Sequence, residues 1–297
     1  MLKWLLGIPY EVAFWDSIYG NKKALASTLA FSHYGRELCL DGFDAATFIL
    51  QQPEPEKAKI LDIGCGMSYL PGVFILDQKG QKRTLNIHYI DPLAAYYNEI
   101  AQHHHVQVPP VEFGMMEYLS AFYPEHDVTL AIIQNALDHS ANPVKGVLEA
   151  LNALKKGGVL YLNHHPNEAE YEQYRGFHQF NICIEDNQLI IWNREKRFNI
   201  NEIVKGFARV ETQTVETNPV AILTKTAEVP VSLLDHEQDI RTLSTSLLEM
   251  TKVMNDPHAM RRYHRQYRTY RVVQRISKLF SWKTRQNIKK IIKKLKI

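Results

Sequence analysis

Two sets of residues in this chain have types and spacing suited to chemistry. The first is the stretch KILDIGCGMSYLPG, Lys59 to Gly72, in which an apolar run ends at Asp62 and turns through Gly64 and Gly66. A strand followed by a glycine turn and a helix is a nucleotide-holding arrangement. The dinucleotide pattern needs glycines at the first, third and sixth positions, and Tyr69 occupies the sixth. NAD is therefore disfavoured, and another adenosine cofactor is expected. The second set is histidine: His139 in LDHSANP, and His164 and His165 in YLNHHPNEAEYEQY. An imidazole titrates near neutrality, so each is a candidate general base; a hydrogen-bonded surface role is the plainer alternative for any of them.

The elements that must position these residues follow from hydrophobic periodicity. KILDI, LNIHYI, DVTLAII and GGVLYL are strand-like, whereas AAYYNEIAQ and NPVKGVLEALNALKK have helical spacing. In the latter, Val144, Val147, Leu148, Leu151 and Leu154 form one apolar stripe, and Lys155 to Gly158 read as a helix stop. This alternation implies βαβ units and a parallel sheet. Residues 1–57 are expected to be mostly helical and to end in the linker QQPEPEK. HQFNICIEDNQLIIWNRE is expected to form a β-hairpin turning at Asp186 and Asn187, an insertion over about 176–198. NINEIVKGF reads as a short helix, ARVETQTV and AILTKT as two further strands, and 231–254 as a last helix within a 229–256 segment.

The order of landmarks resembles the class I S-adenosylmethionine-dependent methyltransferases. LDIGCGMS, then IDP after the second strand, then QNALDHSANP after the fourth, then LKKGGVLYL stand in that family's sequence, and the likeness spans roughly Lys59 to Thr226. It implies an α/β fold: a Rossmann-like seven-stranded sheet over 58–228, mostly parallel with the last strand antiparallel, and helices on both faces. It also implies S-adenosylmethionine as cofactor. Gly64, Cys65 and Gly66 would then carry main chain close to the methionine and ribose parts. Asp62 would meet the ammonium group, and Asp91, followed by Pro92, the two ribose hydroxyls. Both acids can instead serve as turn residues. Where many relatives have an acid for the adenine amino group, VEFGMMEYL has Met115. Met115 and Met116 are accordingly candidates to pack on the adenine or to be core residues. Ser68 stands where glycine is frequent; it is expected either to bond the cofactor carboxylate or to cap the next helix. Asn135 is a further expected contact.

For the acceptor, His165 is favoured as base, then His139 and His164, with Tyr171, Tyr174, Phe177 and Trp192 as candidate pocket walls. His164, His165, Glu168 and Glu170 lack the spacing of a zinc site, and no metal is expected. IPYEVAFWDSIY and SHYGRELCLDGFDA are similar to methyltransferases associated with bacterial surface polysaccharides. The expected activity is thus O-methylation of a glycan, sugar or lipid-linked sugar hydroxyl. A nucleic-acid methyltransferase is the alternative, although NALD replaces the Asn-Pro-Pro-aromatic sequence of amino-methylating types. A non-catalytic cofactor-binding partner protein is the third reading.

Charge divides the chain. Residues 257–297 hold 14 of its 35 Lys and Arg and none of its 32 Asp and Glu, so an acidic body carries a strongly basic tail. RRYHRQYRTYRVVQR and IKKIIKKLKI have amphipathic helical spacing, which suits an anionic membrane surface, or a solvated helix packed on the acidic body of its own or another subunit, or, third, nucleic-acid phosphates. No apolar run approaches the roughly 18 to 20 residues of a membrane span. The three cysteines, Cys39, Cys65 and Cys183, fit neither a disulfide framework nor a zinc site. A cytoplasmic protein is expected, peripheral at the inner membrane face, of unassigned oligomeric state.

Overall fold

The four apolar runs become the parallel centre of the fold. A computed structural model describes residues 2–31, 36–69, 71–174 and 176–234, with isolated positions between 241 and 272. The helices α1 (Leu2–Tyr19), α2 (Lys22–Phe31) and α3 (Ala45–Leu50) precede strand β1 (Lys59–Ile63). A short hairpin of β2 (Phe74–Leu76) and β3 (Lys82–Thr84) leads to β4 (Asn86–Asp91), α4 (Ala94–His103) and β5 (Glu112–Phe113). Then come β6 (Val128–Gln134), α5 (Pro143–Ala153), β7 (Leu154–Asn163) and α6 (Glu168–Tyr171). Three strands, β8 (Asn181–Glu185), β9 (Gln188–Trp192) and β10 (Arg197–Asn199), lie ahead of α7 (Ile200–Ile203), β11 (Ala208–Val215) and β12 (Asn218–Lys225).

Seven strands form the main sheet in the order β11-β12-β7-β6-β1-β4-β5. Pairing is parallel from β7 to β5, and β12 runs antiparallel between β7 and β11. Both faces of β1, β6 and β7 are covered, which is why these strands read as continuous apolar runs. One core lies between the sheet and α5, a second beneath α3 on the opposite face, and a third joins α1, α4 and the glycine loop. Asn142 caps α5 by accepting from Lys145 N at 3.2 Å, with Pro143 in the first turn.

Several sequence expectations need correction. No helix follows the glycine loop: the chain passes through Pro71 and Gly72 into the β2–β3 hairpin. There Val73 N donates to Arg36 O at 2.9 Å and Leu38 N to Phe74 O at 2.7 Å, so pairing with 36–38 replaces a crossover helix. α5 stops at Ala153, just ahead of LKKGG, but that segment also opens β7, pairing Leu154 with Val128 and shifting register before Leu130. The hairpin turns as expected, with Asp186 and Asn187 both at positive φ, but β10 pairs with β9 to make a three-stranded sheet. Val231–Leu233 is a single 3-10 turn, so the last helix does not start there, although the described positions between 241 and 252 are helical. Among the described residues no helix is long and apolar enough to cross a membrane. Nearly all of the basic tail lies outside the described residues.

Candidate active site

The site gathers at the carboxyl ends of the parallel strands, where open α/β sheets bind ligands. β1 ends by turning sharply, and Gly64 N donates to Ile90 O at 2.7 Å, which draws the turn against the end of β4. Gly64 has φ +68 and Gly66 φ +54, a left-handed backbone that glycine adopts without strain. A Cβ on Gly64 would stand 2.5 Å from the Cβ of Ala136, and one on Gly66 3.0 Å from the Trp15 ring. The loop is thus held between the end of β6 and helix α1. Ser68 Oγ donates to Cys65 O at 3.2 Å, tying the turn to itself, and there is no following helix for it to cap. The Cys65 thiol is buried, and burial beside Asp62 holds its pKa well above the usual range, so it is an inert packing group.

Three acids converge above this loop. Asp91 Oδ2 accepts from Gly66 N at 3.2 Å and Oδ1 from Leu93 N at 2.9 Å, with Pro92 between them in the turn. Asp62 is 3% exposed, and its Oδ2 has no hydrogen-bond partner. Glu11, on α1, accepts from Trp15 Nε1 at 2.8 Å. Burial, then the charge of Asp91, pushes Asp62 up to about 8. Glu11 rises to about 7 for the same two reasons, and burial takes Asp91 to about 6 against two main-chain hydrogen bonds. Among the described residues no lysine or arginine acts on these carboxylates, and His178 acts only weakly on Glu11. Glu11 and Trp15 were not anticipated as site residues; only the fold brings α1 across the loop, where Tyr19 also donates to Met67 O at 3.0 Å.

A second group forms on the turn after β6. Asp138 and His139 lie on a 3-10 turn, Leu137–His139, directly after Ala136. His178 arrives from the loop before β8, and Gln179 N donates to Asp138 O at 3.1 Å, fixing that loop to the turn. His178 Nδ1 lies 2.8 Å from Asp138 Oδ2 and 3.1 Å from His139 Nε2. Burial works to raise the Asp138 pKa, but His139 and His178 outweigh it and bring the value below the ordinary range. His178 is raised: burial acts against its charged form, and Asp138 more than compensates. Burial takes His139 down to about 4. The two groups are electrostatic neighbours, since Glu11 feels Asp91 as well as His178 and Asp138. Asp138 was legible as the neighbour of a candidate histidine; His178 carried no sequence signal.

The other expected residues divide. His164 is 1% exposed, neither ring nitrogen has a hydrogen-bond partner, and burial lowers it to about 4. His165 is exposed; its main-chain N donates to Asn135 Oδ1 at 2.8 Å and its Nδ1 lies 3.4 Å from Asn218 Oδ1. Asn135 thus links the ends of β6 and β7. Met116 reaches the glycine loop, its Cε 3.4 Å from where a Gly64 Cβ would be, while Met115 is buried in the core beneath α1 and α4. Glu117 accepts from Ala141 N and Asn142 N and supports the turn leading into α5. Phe177 stands beside His139, with ring centres 5.9 Å apart, whereas Tyr171 is exposed and Tyr174 packs under Arg194.

Comparison with known proteins bears on this geometry. Residues 61–162, about a third of the chain, match the family model described as a methyltransferase domain. Over that span the chain is similar to methyltransferase domains. The matched segment runs from β1 to the end of β7, and so includes the glycine loop, Asp91 and the Asp138 turn. No curated protein matches the sequence. Among solved structures, one similar fold is an S-adenosylmethionine-dependent methyltransferase from Clostridium acetobutylicum (12% identity, 61% of this chain and 91% of that one, TM-score 0.35). Another is the T. thermophilus 16S rRNA N2 G1207 methyltransferase in complex with AdoMet and guanosine (14%, 64% and 41%, TM-score 0.32). A third is an O-methyltransferase family protein from Burkholderia thailandensis (10%, 61% and 55%, TM-score 0.35).

The residues around the glycine loop fit S-adenosylmethionine, the cofactor that the sequence resemblance implies. Asp62 offers a buried, unpaired carboxylate oxygen, and Glu11, Asp62 and Asp91 together favour a ligand with positive charge. S-adenosylmethionine, with an ammonium and a sulfonium, is such a ligand. Gly64 and Gly66 leave the loop main chain unshielded by side chains, as close approach requires.

Proposed function

We propose that the chain is an S-adenosylmethionine-dependent methyltransferase acting on a hydroxyl oxygen, of a glycan or sugar precursor, that enters at Asp138, His139 and His178. The observation that carries this reading is the placement of that half-buried Asp-His-His cluster one turn from the cofactor loop, through Ala136 packed on Gly64. When bound, S-adenosylmethionine supplies a methyl carbon already activated by a sulfonium, so the protein's work is alignment and disposal of one proton. Asp91 holds the ribose hydroxyls, Asp62 the ammonium, and Glu11 and Trp15 of α1 close the site from above. His139 and His178 have side chains 26% and 25% exposed, so the cluster has an open side for an acceptor and a path for its proton to solvent. A hydroxyl needs such a site; an acceptor that attacks without losing a proton beforehand does not.

Calorimetry with S-adenosylhomocysteine tests the cofactor half of the proposal. Wild type is expected to bind and Asp91→Ala to bind at least 30-fold more weakly; equal binding by the two defeats the assignment. Methyl transfer to sugar hydroxyls, assayed against a matched set of amine acceptors, tests the other half. The tail is proposed to hold the protein at an anionic membrane surface, on the strength of its 14 basic residues and no acidic one. Flotation with anionic vesicles should fail once residues 257–297 are removed, and unchanged flotation rejects that role.

A further inference from the structure

We propose that Asp138, His139 and His178 constitute a site for a first-row divalent transition-metal ion, which would hold the acceptor oxygen. The role given to the ion rests on the methyltransferase reading above; its binding does not. Asp138 Oδ2, His139 Nε2 and His178 Nδ1 form a triangle with sides of 2.8, 3.1 and 3.4 Å. Donors each ~2.1 Å from one ion, at angles between octahedral and tetrahedral, stand about 3.0 to 3.4 Å apart. Two sides of the triangle fall in that range and the third is about 0.2 Å short of it, so a small side-chain adjustment gives three donors on one face of a coordination sphere. Among the described residues this is the one group of three His, Cys, Asp or Glu side chains whose ligand atoms come together in this way.

The ring protons of His139 and His178 can sit on either nitrogen, so the three atoms can share hydrogen bonds or, with the facing nitrogens unprotonated, present three lone pairs to one cation. Two buried polar groups nearby also lack partners. Asp138 is 3% exposed, yet its Oδ1 has no partner. His164, 1% exposed, has two unpartnered ring nitrogens and acts electrostatically on Asp138.

The frame is rigid on both sides. Ser140 N and Oγ both donate to Leu137 O and close the turn that carries Asp138 and His139, while the Gln179 N to Asp138 O bond anchors His178. Preorganised donors lose little entropy on binding. Two imidazoles with one carboxylate suit Zn, Mn, Fe or Co better than Mg or Ca, which prefer all-oxygen sites. Three donors on one face leave positions open toward the exposed side, where an acceptor hydroxyl would coordinate and release its proton to solvent more readily. The sequence hid this site because His178 lies outside any metal-ligand spacing relative to Asp138 and His139.

The test is calorimetry of the full chain, stripped with chelator, titrated with Mn2+, Co2+ and Zn2+ in turn, with the Co2+ absorption spectrum as a second readout of nitrogen ligation. Wild type is expected to bind one equivalent, and His178→Ala and His139→Gln to bind at least 100-fold more weakly. The proposal is overturned if wild type takes up no stoichiometric metal, or if both variants bind as it does. Titration of the same samples with S-adenosylhomocysteine reports folding and separates the two readings. Metal uptake without nucleoside binding defeats the methyltransferase reading alone; nucleoside binding without metal uptake defeats the metal site alone. Should both variants fail to fold, the wild-type stoichiometry decides.

Discussion

Asp62 and Asp138 sit at the carboxyl ends of adjacent parallel strands, and each is 3% exposed, yet they titrate in opposite directions. Asp62 is pushed up to about 8, while Asp138 is held below the usual carboxylate range. Burial disfavours the charged form of both, so burial is not what separates them. Neighbours are. Among the described residues Asp62 faces Asp91 and no cation, whereas Asp138 faces His139 and His178. One acid is left waiting for a positively charged ligand, and the other already has basic partners from its own chain.

The harshest way to break this contrast is to remove Asp138. Asp138→Ala leaves a raised imidazole without its carboxylate and is expected to cost about 3 to 5 kcal/mol of unfolding free energy, measured by urea denaturation, together with all methyl transfer. A cost below about 1 kcal/mol would mean that the cluster is not an ion pair in the folded protein. Asp62→Asn should go the other way. Without ligand at pH 8 it removes an unpaired buried charge and is expected to stabilise by about 1 to 2 kcal/mol, while S-adenosylhomocysteine binding weakens at least tenfold. Destabilisation with unchanged binding would place the unpaired oxygen outside the cofactor site. Gains in stability on removing a polar group are the signature of a site strained for function.

The same contrast predicts a pH dependence. Asp62, Glu11 and Asp91 have folded pKa values of about 8, 7 and 6, all above their ordinary 3.8 to 4.5. The folded protein therefore binds more protons than the unfolded chain across that window. Stability from these groups is complete below about pH 4 and falls as pH rises toward 8, by up to about 1.4 kcal/mol per unit for each group titrating. Asp138 has the reverse sign, its contribution being lost as pH falls below its unfolded value of about 4. Melting temperature should decline from pH 5 to 8 without ligand, and saturating S-adenosylhomocysteine should flatten that decline; a flat ligand-free profile would deny the acid cluster.

Much of the fold was legible because its central strands are buried on both faces and so read as apolar runs. KILDI, LNIHYI, DVTLAII and GGVLYL all became parallel neighbours, and the turn at Asp186 and Asn187 has both residues at positive φ. What failed were elements set by distant pairing. Nothing local in GVFILDQKGQKRT announces that residues 36–38 will pair with it and displace a helix. LKKGG has the composition of a helix stop, but β6 offers it ladder partners and it extends as β7. The site shows the same split. Asp62, Gly64, Gly66 and Asp91 follow directly from strand ends, whereas Glu11, Trp15 and His178 come from segments that only tertiary packing carries there. Of the three histidines weighed as bases, His139 joined the cluster, His164 was buried without a partner, and the favoured His165 turned to the surface beside Asn218.

The two halves of the site also differ in how they are covered, and this gives the smallest expected effect. The Asp138 turn and the His178 loop are joined by a main-chain hydrogen bond, but the acids around Asp91 are roofed by α1, which grips the loop through side chains. Tyr19 donates to Met67 O at 3.0 Å, and Asp16 Oδ1 lies 2.9 Å from His104 Nε2 at the end of α4. Ligand entry from above requires this helix to lift, and side-chain contacts are the ones that can release without unfolding the sheet. Tyr19→Phe deletes one buried hydrogen bond and leaves the ring packing intact, so it is expected to cost only about 1 kcal/mol in stability. If α1 is the roof, the same change should speed S-adenosylhomocysteine dissociation about three- to tenfold in stopped-flow displacement, with little change in metal uptake. A dissociation rate equal to wild type would mean that the cofactor enters from another side, and that α1 is a fixed part of the wall.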